Sequence, residues 1–458
     1  MTIWTPDLTN REGPLYRELA DAIAGAIEEG ALTPGDRLPT QRELAGDLGI
    51  ALTTVTRGYA EAERRGLVRG EVGRGTFVRT RSARNTGTTG EFDVGEVDLR
   101  PNALVPWPFG PELLDRAARH FTQADPGELF AYGPTRGHRA HREAGAELMA
   151  RVGVPADPDQ VLVTTGVQHG IMAVFATLCG AGDAVLVEDV TYSGVRSAAR
   201  VLGVGLVPVP IDAEGMLPDA AREAVRRHAP KAIYCTPTLH NPTAAVMSPA
   251  RRRAMVAVAA EAGAPLIEDD SYGFVLPDAV PLAAQSPTAW YLVGTSKPLI
   301  PSLRVAFVRA PDAALANRLE AVIAGTVCQT SGPMADLAAA WIGDGTLDRV
   351  VAWKREQFTA RQTAVMAILR DADYQAHPRG PHGWLRLSEP WTTREFVHQA
   401  AMRRVHVAPS DDFAVARDAP HAVRLCVGPT PGRAQLEEAV GTLAEMIREG
   451  PDAGRMVV

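Results

Sequence analysis

Hydrophobic residues near the N-terminus recur at helical spacing and predict three short helices. Apolar residues lie four positions apart from Leu15 to Ile27, after Pro14, which suits a first helical turn. Residues 40–43, Thr-Gln-Arg-Glu, have the form of a capping box and open a second helix that stops at Gly49. A third runs over residues 53–65. Because the second and third helices are separated by only four residues, the pattern predicts a helix-turn-helix.

The next residues predict a β-hairpin that completes a DNA-binding module. Residues 67–78 contain two short apolar runs joined by a glycine-rich tip, which together predict a wing. In a winged helix-turn-helix the third helix enters the major groove and the wing contacts the backbone or minor groove. The residues expected to contact DNA are Thr40, Arg42, Thr53, Thr54, Arg57, Arg74 and Thr76. A three-helix module that binds other proteins is the alternative, since this segment is not net basic.

The pattern changes after residue 79. Residues 80–97 are rich in Arg, Thr and Gly and poor in apolar residues, which predicts a linker. Beyond it, seven strand-like apolar runs alternate with helical patterns, which predicts a largely parallel sheet covered on both faces. The runs are residues 161–165, 184–188, 205–210, 232–236, 265–268, 290–293 and 305–308.

The C-terminal part predicts a smaller unit of mixed helices and strands. Helical patterns cover residues 316–324, 347–370 and 433–449, and strand patterns cover residues 383–387, 405–407 and 423–427. The predicted domains are residues 1–79 (DNA-binding), 80–97 (linker) and 98–458 (effector). Within the last, residues of about 130–310 form the large part, and 311–458 with 98–129 form the small part.

Composition narrows the function classes. The chain has 458 residues, and its 46% hydrophobic and 22% charged residues are ordinary for a globular protein. Because its net charge is −7, contact with DNA needs a local basic patch. The four cysteines are widely spaced in apolar surroundings, which predicts buried thiols in a reducing compartment. No metal site is predicted. Without a signal pattern or a bilayer-length apolar run, we expect a cytoplasmic protein without a membrane span.

Lysine use singles out one residue. Only Lys231, Lys297 and Lys354 occur in the chain, and the other 44 of its 47 basic residues are arginine. A desolvated lysine can lose its proton and form an imine with a carbonyl compound, whereas arginine stays protonated. Lys297 follows a buried-strand pattern and precedes a proline-rich turn, so it is a Schiff-base candidate, although a lysine extending from a strand end to solvent is the simpler interpretation. Lys354 lies in a helix near Glu356 and Arg361 and is expected to be solvated.

Polar residues follow the predicted strands at the edge where ligands of such sheets bind. A turn at residues 164–168 opens a helix whose amides could hold a phosphate, and Tyr192 offers a face for stacking a heterocycle. Farther along the chain lie Asn241, Asp269, Tyr272, Lys297 and Arg304. Singly, an Asn-Pro-Thr is usually a turn and an Asp at a strand end a helix cap. Taken in order, these residues meet each need of pyridoxal 5′-phosphate.

The N-terminal segment resembles the winged domain of the GntR regulators over nearly its full length. The matching runs are residues 14–17, 35–45, 54–59 and 73–78. Many members carry Ser-Arg where this chain has Ala51-Leu52, which removes one expected DNA contact.

From about Asp98 to the C-terminus the chain resembles the fold-type I aminotransferases, and both parts together resemble the MocR-type branch of the GntR regulators. The resemblance implies an α/β class fold: a winged helix-turn-helix plus a fold-type I aminotransferase-like domain with a mixed, mostly parallel sheet, helices on both faces and a small C-terminal α+β subdomain.

The resemblance also implies roles for the strand-end residues. Lys297 would hold the coenzyme covalently, Asp269 would pair with the pyridine nitrogen, and Asn241 and Tyr272 would contact the ring hydroxyl. The expected coenzyme-binding set is Gly166, Val167, Gln168, Tyr192, Asn241, Asp269, Tyr272, Thr295, Ser296, Lys297, Arg304 and Tyr132. Tyr132 looks like the tyrosine that one subunit of a homodimer lends to the other.

The chain departs from the family pattern at two positions of the expected coenzyme site, and it has an arginine at the position expected to bind substrate. Ala244 stands where the family pattern has glycine, and Gly294 replaces a hydroxyl residue three before the lysine, so phosphate binding is expected to rely on Thr295 and Ser296. Arg424 occupies the position that grips a substrate α-carboxylate. An arginine on an edge strand is its alternative interpretation.

Two functions remain open at this level. The first is a homodimeric transcriptional regulator that binds operator DNA and responds, through the coenzyme, to an amino compound or to pyridoxal 5′-phosphate itself. The second is a working aminotransferase whose N-terminal module is a vestige or binds a protein. The intact pattern around Arg42, Arg57 and Arg74 favours the regulator, with turnover left undecided.

Overall fold

The chain folds as two compact units in a computed structural model. The structure describes residues 4–6, 14–28, 32, 36–64, 67–71, 75–78, 96–104, 107–416, 418–430 and 432–451. The units are Met1–Val94 and Gly95–Val458. Residues 80–95 of the predicted linker and Arg74 at the predicted wing tip lie outside the described residues.

The first unit contains the predicted helices and hairpin. Its described elements are α1 (Leu15–Glu28), α2 (Gln41–Leu48), α3 (Leu52–Arg64), β1 (Val68–Glu71) and β2 (Gly75–Val78). β1 and β2 pair antiparallel. Helices α1 and α3 pack closely at Gly58, where a side-chain carbon would lie 2.6 Å from Leu19 Cδ2. The Tyr59 hydroxyl donates to the Pro39 carbonyl at 2.9 Å inside the small core. The predicted helix-turn-helix with a two-stranded wing is confirmed.

The second unit alternates helices and strands as the apolar runs predict. Its described helices are α4 (Gly110–Gln123), α5 (Pro126–Phe130), α6 (Arg139–Ala150), α7 (Gly166–Leu178), α8 (Ser193–Leu202), α9 (Pro218–His228), α10 (Pro249–Ala262), α11 (Ala313–Thr326), α12 (Gly332–Gly343), α13 (Thr346–Ile368), α14 (Thr393–Met402) and α15 (Arg433–Glu449). Its described strands are β3 (Val97–Asp98), β4 (Val161–Thr164), β5 (Ala184–Glu188), β6 (Gly205–Val209), β7 (Ile211–Asp212), β8 (Gly215–Met216), β9 (Ala232–Cys235), β10 (Leu266–Asp269), β11 (Trp290–Gly294), β12 (Ala306–Arg309), β13 (Tyr374–Ala376), β14 (His382–Arg386), β15 (Val405–His406), β16 (Ala408–Pro409) and β17 (Ala422–Cys426).

A seven-stranded sheet forms the centre of the second unit. Its strand order is β4-β12-β11-β10-β9-β5-β6. Neighbours from β11 to β6 are parallel, while β12 runs antiparallel to both β11 and β4. Alternate side chains enter separate apolar cores on the two faces, with Leu186 in one and Val185 in the other. The predicted mostly parallel sheet with both faces covered is confirmed.

A four-stranded antiparallel sheet, β13-β14-β17-β16, forms the smaller part. Its apolar face packs against α13, α14 and α15 around Leu425, Phe396 and Leu443. Strand β17 lies between β14 and β16, so Arg424 is on a central strand and is 7% exposed. The edge-strand interpretation of Arg424 is therefore wrong.

The cysteine prediction holds only in part. Cys235 and Cys426 are buried, but Cys179 is half-buried and Cys328 is exposed. Cys328 lies between α11 and α12 with a positive φ of 63°, in a turn that the apolar neighbours in the sequence did not reveal. No helix in the described ranges is both long and apolar enough to cross a membrane.

Two glycine-to-alanine changes test this packing. Gly145 lies inside α6, where an added Cβ would lie 2.5 Å from Phe307 Cδ1 on β12, while Gly441 lies inside α15 with no atom within 4 Å of such a carbon. We expect Gly145→Ala to destabilise the chain by about 1–3 kcal/mol. Gly441→Ala is expected to stabilise it by up to about 1 kcal/mol, because alanine favours the helix. Denaturant unfolding of the full chain measures both, and equal midpoints would contradict the α6–β12 packing.

Candidate functional site

Most of the predicted site residues lie at one edge of the seven-stranded sheet. Asp269 ends β10, Lys297 follows β11, and Gly166 opens α7 directly after β4. Arg304 precedes β12, whose antiparallel direction places its beginning at the same edge. The electrostatic neighbours of Lys297 include Asp269, Arg304 and Arg424. The fold therefore gathers side chains that are far apart in sequence, as expected from strand ends.

Lys297 is a half-buried amine in a tight turn. Its Nζ donates to the backbone carbonyl of Asn102 and lies 5.9 Å from the centre of the Tyr272 ring. Burial lowers the Lys297 pKa to about 8, which makes the neutral, nucleophilic amine accessible near neutral pH. The simpler interpretation, a lysine extended to solvent, is inconsistent with these contacts.

Lys354 is buried, so the prediction that it is solvated is wrong. Its side chain is 1% exposed, and its Nζ donates to the carbonyls of Lys297 and Leu299, each at 2.7 Å. Burial lowers the Lys354 pKa well below its usual value. The charged residues beside Lys354 in the sequence predict an exposed side chain. In the structure α13 directs that side chain to residues 297–299 instead.

Asp269 is held by two neighbours that the sequence analysis did not identify. The Tyr234 hydroxyl donates to Asp269 Oδ2 at 2.9 Å, and the Ser271 hydroxyl donates to Oδ1 at 2.6 Å. Burial raises the Asp269 pKa, and the bonds from Ser271 and Tyr234 oppose that rise. The carboxylate is thus fixed in direction at the end of β10.

The start of α7 forms an anion cradle. Its N-cap residue Thr165 makes no side-chain cap, so no N-cap side chain occupies the amides of the first turn. Gly166 has a φ of 76°, and an added Cβ there would lie 2.5 Å from an Arg304 Nη atom. The buried Ser296 hydroxyl has no partner among the described residues. The amides that open α7 and the Arg304 guanidinium therefore meet at Gly166, and the unpartnered Ser296 hydroxyl follows β11 at the same edge of the sheet.

Two side chains from the predicted coenzyme-binding set bond elsewhere in the chain. The Thr295 hydroxyl donates to the Val305 carbonyl at 2.9 Å, which leaves Ser296 as the unpartnered hydroxyl of the pair. The Gln168 side chain donates to the Gly194 carbonyl at 2.8 Å. That bond ties α7 to the start of α8, beside Tyr192.

The structure shows a backbone strain at one departure from the family pattern and a steric reason for the other. Ala244 has a φ of 59°, the left-handed region that favours glycine, so alanine is strained there. A side-chain carbon on Gly294 would lie 2.7 Å from Val167 Cγ2. The first turn of α7 thus occupies the space where a hydroxyl residue would stand.

Arg424 reaches the sheet edge from the smaller part of the unit. Its Nη1 donates to Asn241 Oδ1 at 2.7 Å, its Nη2 donates to the Arg100 carbonyl, and its guanidinium lies 4.7 Å from the Phe413 ring centre. The buried Nε has no partner among the described residues. The predicted Asn241 and Arg424 are therefore in direct contact.

Residues 96–104, here called the strap, cross the site. The Asn102 carbonyl accepts from Lys297 and the Arg100 carbonyl accepts from Arg424. The strap is anchored by Cys426, whose amide donates to the Leu99 carbonyl at 2.9 Å. It passes so close to Gly428 that a Cβ there would lie 2.5 Å from the Ala103 oxygen. No pattern in the sequence indicated this segment.

His382 is a further site residue that no pattern in the sequence indicates. Its Nε2 lies 2.9 Å from the His240 carbonyl, which can only accept, so Nε2 carries the proton and Nδ1 accepts from Asn102 Nδ2 at 2.8 Å. Burial and then Arg424 lower the His382 pKa to about 3, which keeps the ring neutral. Tyr272 packs edge-on against it at 5.6 Å. His382 thereby connects Tyr272 to the strap.

Tyr132 is the predicted residue that the chain does not bring to the site. It is 89% exposed, and Phe130 nearby is 81% exposed. Its position within one chain leaves the predicted contact across a homodimer untested.

In the first unit the predicted DNA-contacting side chains lie on or near the surface. Arg42, Thr53 and Arg57 are exposed, and Thr54 and Thr76 are half-buried. Thr40 forms a complete capping box with Glu43. The Arg57 guanidinium stacks 4.4 Å from the centre of the Tyr16 ring, and the Thr56 hydroxyl donates to Gln41 Oε1 at 2.8 Å. These two contacts fix the exposed face of α3.

Comparison with known proteins follows the same division. Residues 109–443 match the family model for aminotransferase class I and II, and residues 15–78 match that for bacterial regulatory proteins of the gntR family. The HTH-type transcriptional regulator YdeF of Bacillus subtilis is 28% identical, with 97% of this chain and 96% of that protein covered. HTH-type transcriptional regulator TauR of Rhodobacter capsulatus is 28% identical, with 95% and 97% covered.

The chain is also similar to a further regulator and to a solved aminotransferase structure. The probable rhizopine catabolism regulatory protein MocR of Rhizobium meliloti is 27% identical, with 78% of this chain and 77% of that protein covered. An archaeal alanine:glyoxylate aminotransferase structure superposes with a TM-score of 0.72 at 22% identity, covering 78% of this chain and 91% of that one. At this identity, the superposition shows the shared fold.

The fold and the matched regions define a DNA-binding regulator fused to an aminotransferase-like domain. The chain belongs to the aminotransferase class I and II family, whose members depend on pyridoxal 5′-phosphate, and its two-part organisation is that of the MocR-type regulators.

The residues present fit this coenzyme. The α7 cradle with the unpartnered Ser296 hydroxyl suits a phosphate, and the oriented Asp269 carboxylate suits a ring nitrogen. Lys297, with its lowered pKa, supplies an amine at the same edge.

Gly294→Ser tests the contact between the cradle and β11. The new Cβ would press on Val167, so we expect a loss of about 1–3 kcal/mol in unfolding free energy and weaker binding of pyridoxal 5′-phosphate. Adding Val167→Ala, which keeps the backbone amide, is expected to recover most of both losses. Unfolding and coenzyme titration of the two single variants and the double variant measure this. Additive losses would contradict the contact.

Proposed function

We propose that this chain is a pyridoxal 5′-phosphate-dependent transcriptional regulator whose DNA binding responds to an amino compound, or to the coenzyme itself, at the edge of the seven-stranded sheet. The observation that carries the proposal is the position of the Lys297 amine, whose pKa is lowered, at the same sheet edge as Asp269 and the α7 cradle. The same chain contains a region that matches the gntR family. In this proposal the domains keep the predicted bounds 1–79, 80–97 and 98–458.

Pyridoxal 5′-phosphate supplies an aldehyde that bonds covalently to amines and a ring that withdraws electrons. Lys297 would hold the aldehyde carbon, and Asp269 would keep a proton on the ring nitrogen because Tyr234 and Ser271 fix its carboxylate. Asn241 and Tyr272 would contact the ring hydroxyl. Ser296, Arg304 and the first amides of α7, from Gly166 to Gln168, would hold the phosphate, and Tyr192 would stack on the ring.

Arg424 limits the class of effector. A carboxylate would replace neutral acceptors with a charged one on a buried guanidinium, which strengthens the hydrogen bonds. We therefore expect an amino compound that carries a carboxylate. A homodimer would complete the site if Tyr132 of each subunit contacts the phosphate of the other. A regulator that binds operator DNA would act in the cytoplasm.

An active aminotransferase is the second candidate. The presence of Lys297, Asp269 and Arg424 in one site favours it, since these groups also serve turnover. Incubating the coenzyme-loaded chain with a panel of amino acids and a 2-oxo acid, and measuring the new amino acid formed, distinguishes the two. Ligand-dependent DNA binding without turnover supports the regulator.

Lys297→Ala tests the coenzyme assignment. Loss of the amine removes the covalent link, so we expect the visible absorption of the coenzyme-loaded chain to disappear. Lys231→Ala is the matched control, since that lysine has a side-chain exposure of 52%. The measurement is an absorption spectrum after gel filtration and borohydride treatment with peptide mapping. Absorption retained in Lys297→Ala would rule out the assignment.

Arg57→Ala tests the DNA-binding assignment. Removing the guanidinium that stacks on Tyr16 is expected to weaken specific binding by about 1–3 kcal/mol while coenzyme absorption stays unchanged. The probe is a duplex enriched by the wild-type chain from a random-sequence pool, measured by fluorescence anisotropy. Arg370→Ala removes a similar charge from the second unit, at a side chain 78% exposed, and is the control. Equal affinities of Arg57→Ala and wild type would favour the enzyme alternative.

A further inference from the structure

The buried Lys354 is not explained by the roles assigned above. It lies on α13, is 1% exposed, and forms no ion pair within the described part of the chain. Both of its hydrogen bonds go to backbone carbonyls of one turn, at Lys297 and Leu299. Burying a lysine without a carboxylate is unfavourable, so the site must depend on those two bonds.

The turn that carries Lys297 needs an external donor. Its own backbone closes with one bond, from the Leu299 amide to the Thr295 carbonyl at 2.9 Å, and Pro298 has no amide hydrogen. The carbonyls of Lys297 and Leu299 point to α13, where Lys354 pairs both. Backbone carbonyls buried without a donor are costly, so removal of Lys354 would allow this turn to rearrange.

We propose that Lys354 is the positioning residue for Lys297, because its amine holds the carbonyls on both sides of Pro298 and thereby sets the direction in which the Lys297 side chain extends toward Asp269 and the coenzyme. The bonds do not depend on the charge of Lys354, since a neutral amine retains two N–H donors for the two carbonyls. This inference rests on the proposed coenzyme site, and it concerns the covalent link rather than the phosphate cradle or Asp269.

Two forms of the coenzyme separate positioning from general support. Pyridoxal 5′-phosphate bonds to Lys297, whereas pyridoxamine 5′-phosphate carries an amine in place of the aldehyde and binds through phosphate and ring alone. A residue that positions only Lys297 affects the first form. A residue that supports the whole site affects both.

The experiment measures the dissociation constants of both forms for the full-length chain. In Lys354→Met, whose unbranched apolar side chain is one atom shorter than that of lysine and lacks both donors, we expect the constant for pyridoxal 5′-phosphate to rise roughly tenfold and that for pyridoxamine 5′-phosphate to stay unchanged. Lys231→Met, which changes an exposed lysine, is the control and is expected to alter neither. Thermal unfolding of each variant confirms that the folded chain is compared.

Each outcome bears on the proposal. Equal weakening of both forms, or of neither, in Lys354→Met overturns the positioning role while leaving the coenzyme site intact. A wild-type chain that binds neither form overturns the proposed function instead. If Lys354→Met does not fold, Lys354→Gln is compared with wild type; its side chain is one bond shorter and is expected to reach one carbonyl. Selective weakening of pyridoxal 5′-phosphate supports the role, and wild-type constants overturn it.

Discussion

The cost of keeping the Lys297 amine away from bulk water shapes its surroundings. Its hydrogen bond goes to a backbone carbonyl of Asn102, and the nearby charges partly cancel, with Asp269 opposing Arg424 and Arg304. A full carboxylate partner would hold the amine protonated and unreactive. Weak neutral pairing and partial burial leave it poised between its two protonation states, and the turn must be rigid for that balance to persist.

The site belongs to no single layer of the fold. The large sheet contributes its edge, the small sheet contributes Arg424 and His382, and the strap bonds to both. Asn241 is the junction, since its side chain accepts directly from Arg424. The two sheets are therefore joined through the same groups that would contact a ligand, so a ligand that replaced these hydrogen bonds would also alter the contact between the two sheets.

Strand-end logic and family resemblance predicted the sheet and the main ligand-facing residues because both depend on local pattern and order along the chain. The charged neighbours of Lys354 predict an exposed side chain, but its burial is decided by how α13 packs. The sequence does not indicate His382 or the strap because their contacts join segments more than one hundred residues apart, such as Asn102 and His382. The sequence shows that Gly294 lacks the hydroxyl side chain expected there. The reason, that a side chain would collide with Val167, is visible only in the structure.

The strap already pairs two of the groups that would bind a ligand. Carbonyls of Arg100 and Asn102 already occupy the donors of Arg424 and Lys297, so any incoming molecule has to compete with the protein's own backbone. The binding free energy then depends on the difference between the hydrogen bonds that the ligand forms and those that it replaces. A ligand without a charged acceptor would form bonds no stronger than the backbone bonds that it replaces, so its net binding free energy would be small. Arg100 and Asn102 lie within five residues of the end of the predicted linker, so a ligand that replaced their carbonyls would change the bonding of the chain next to that linker.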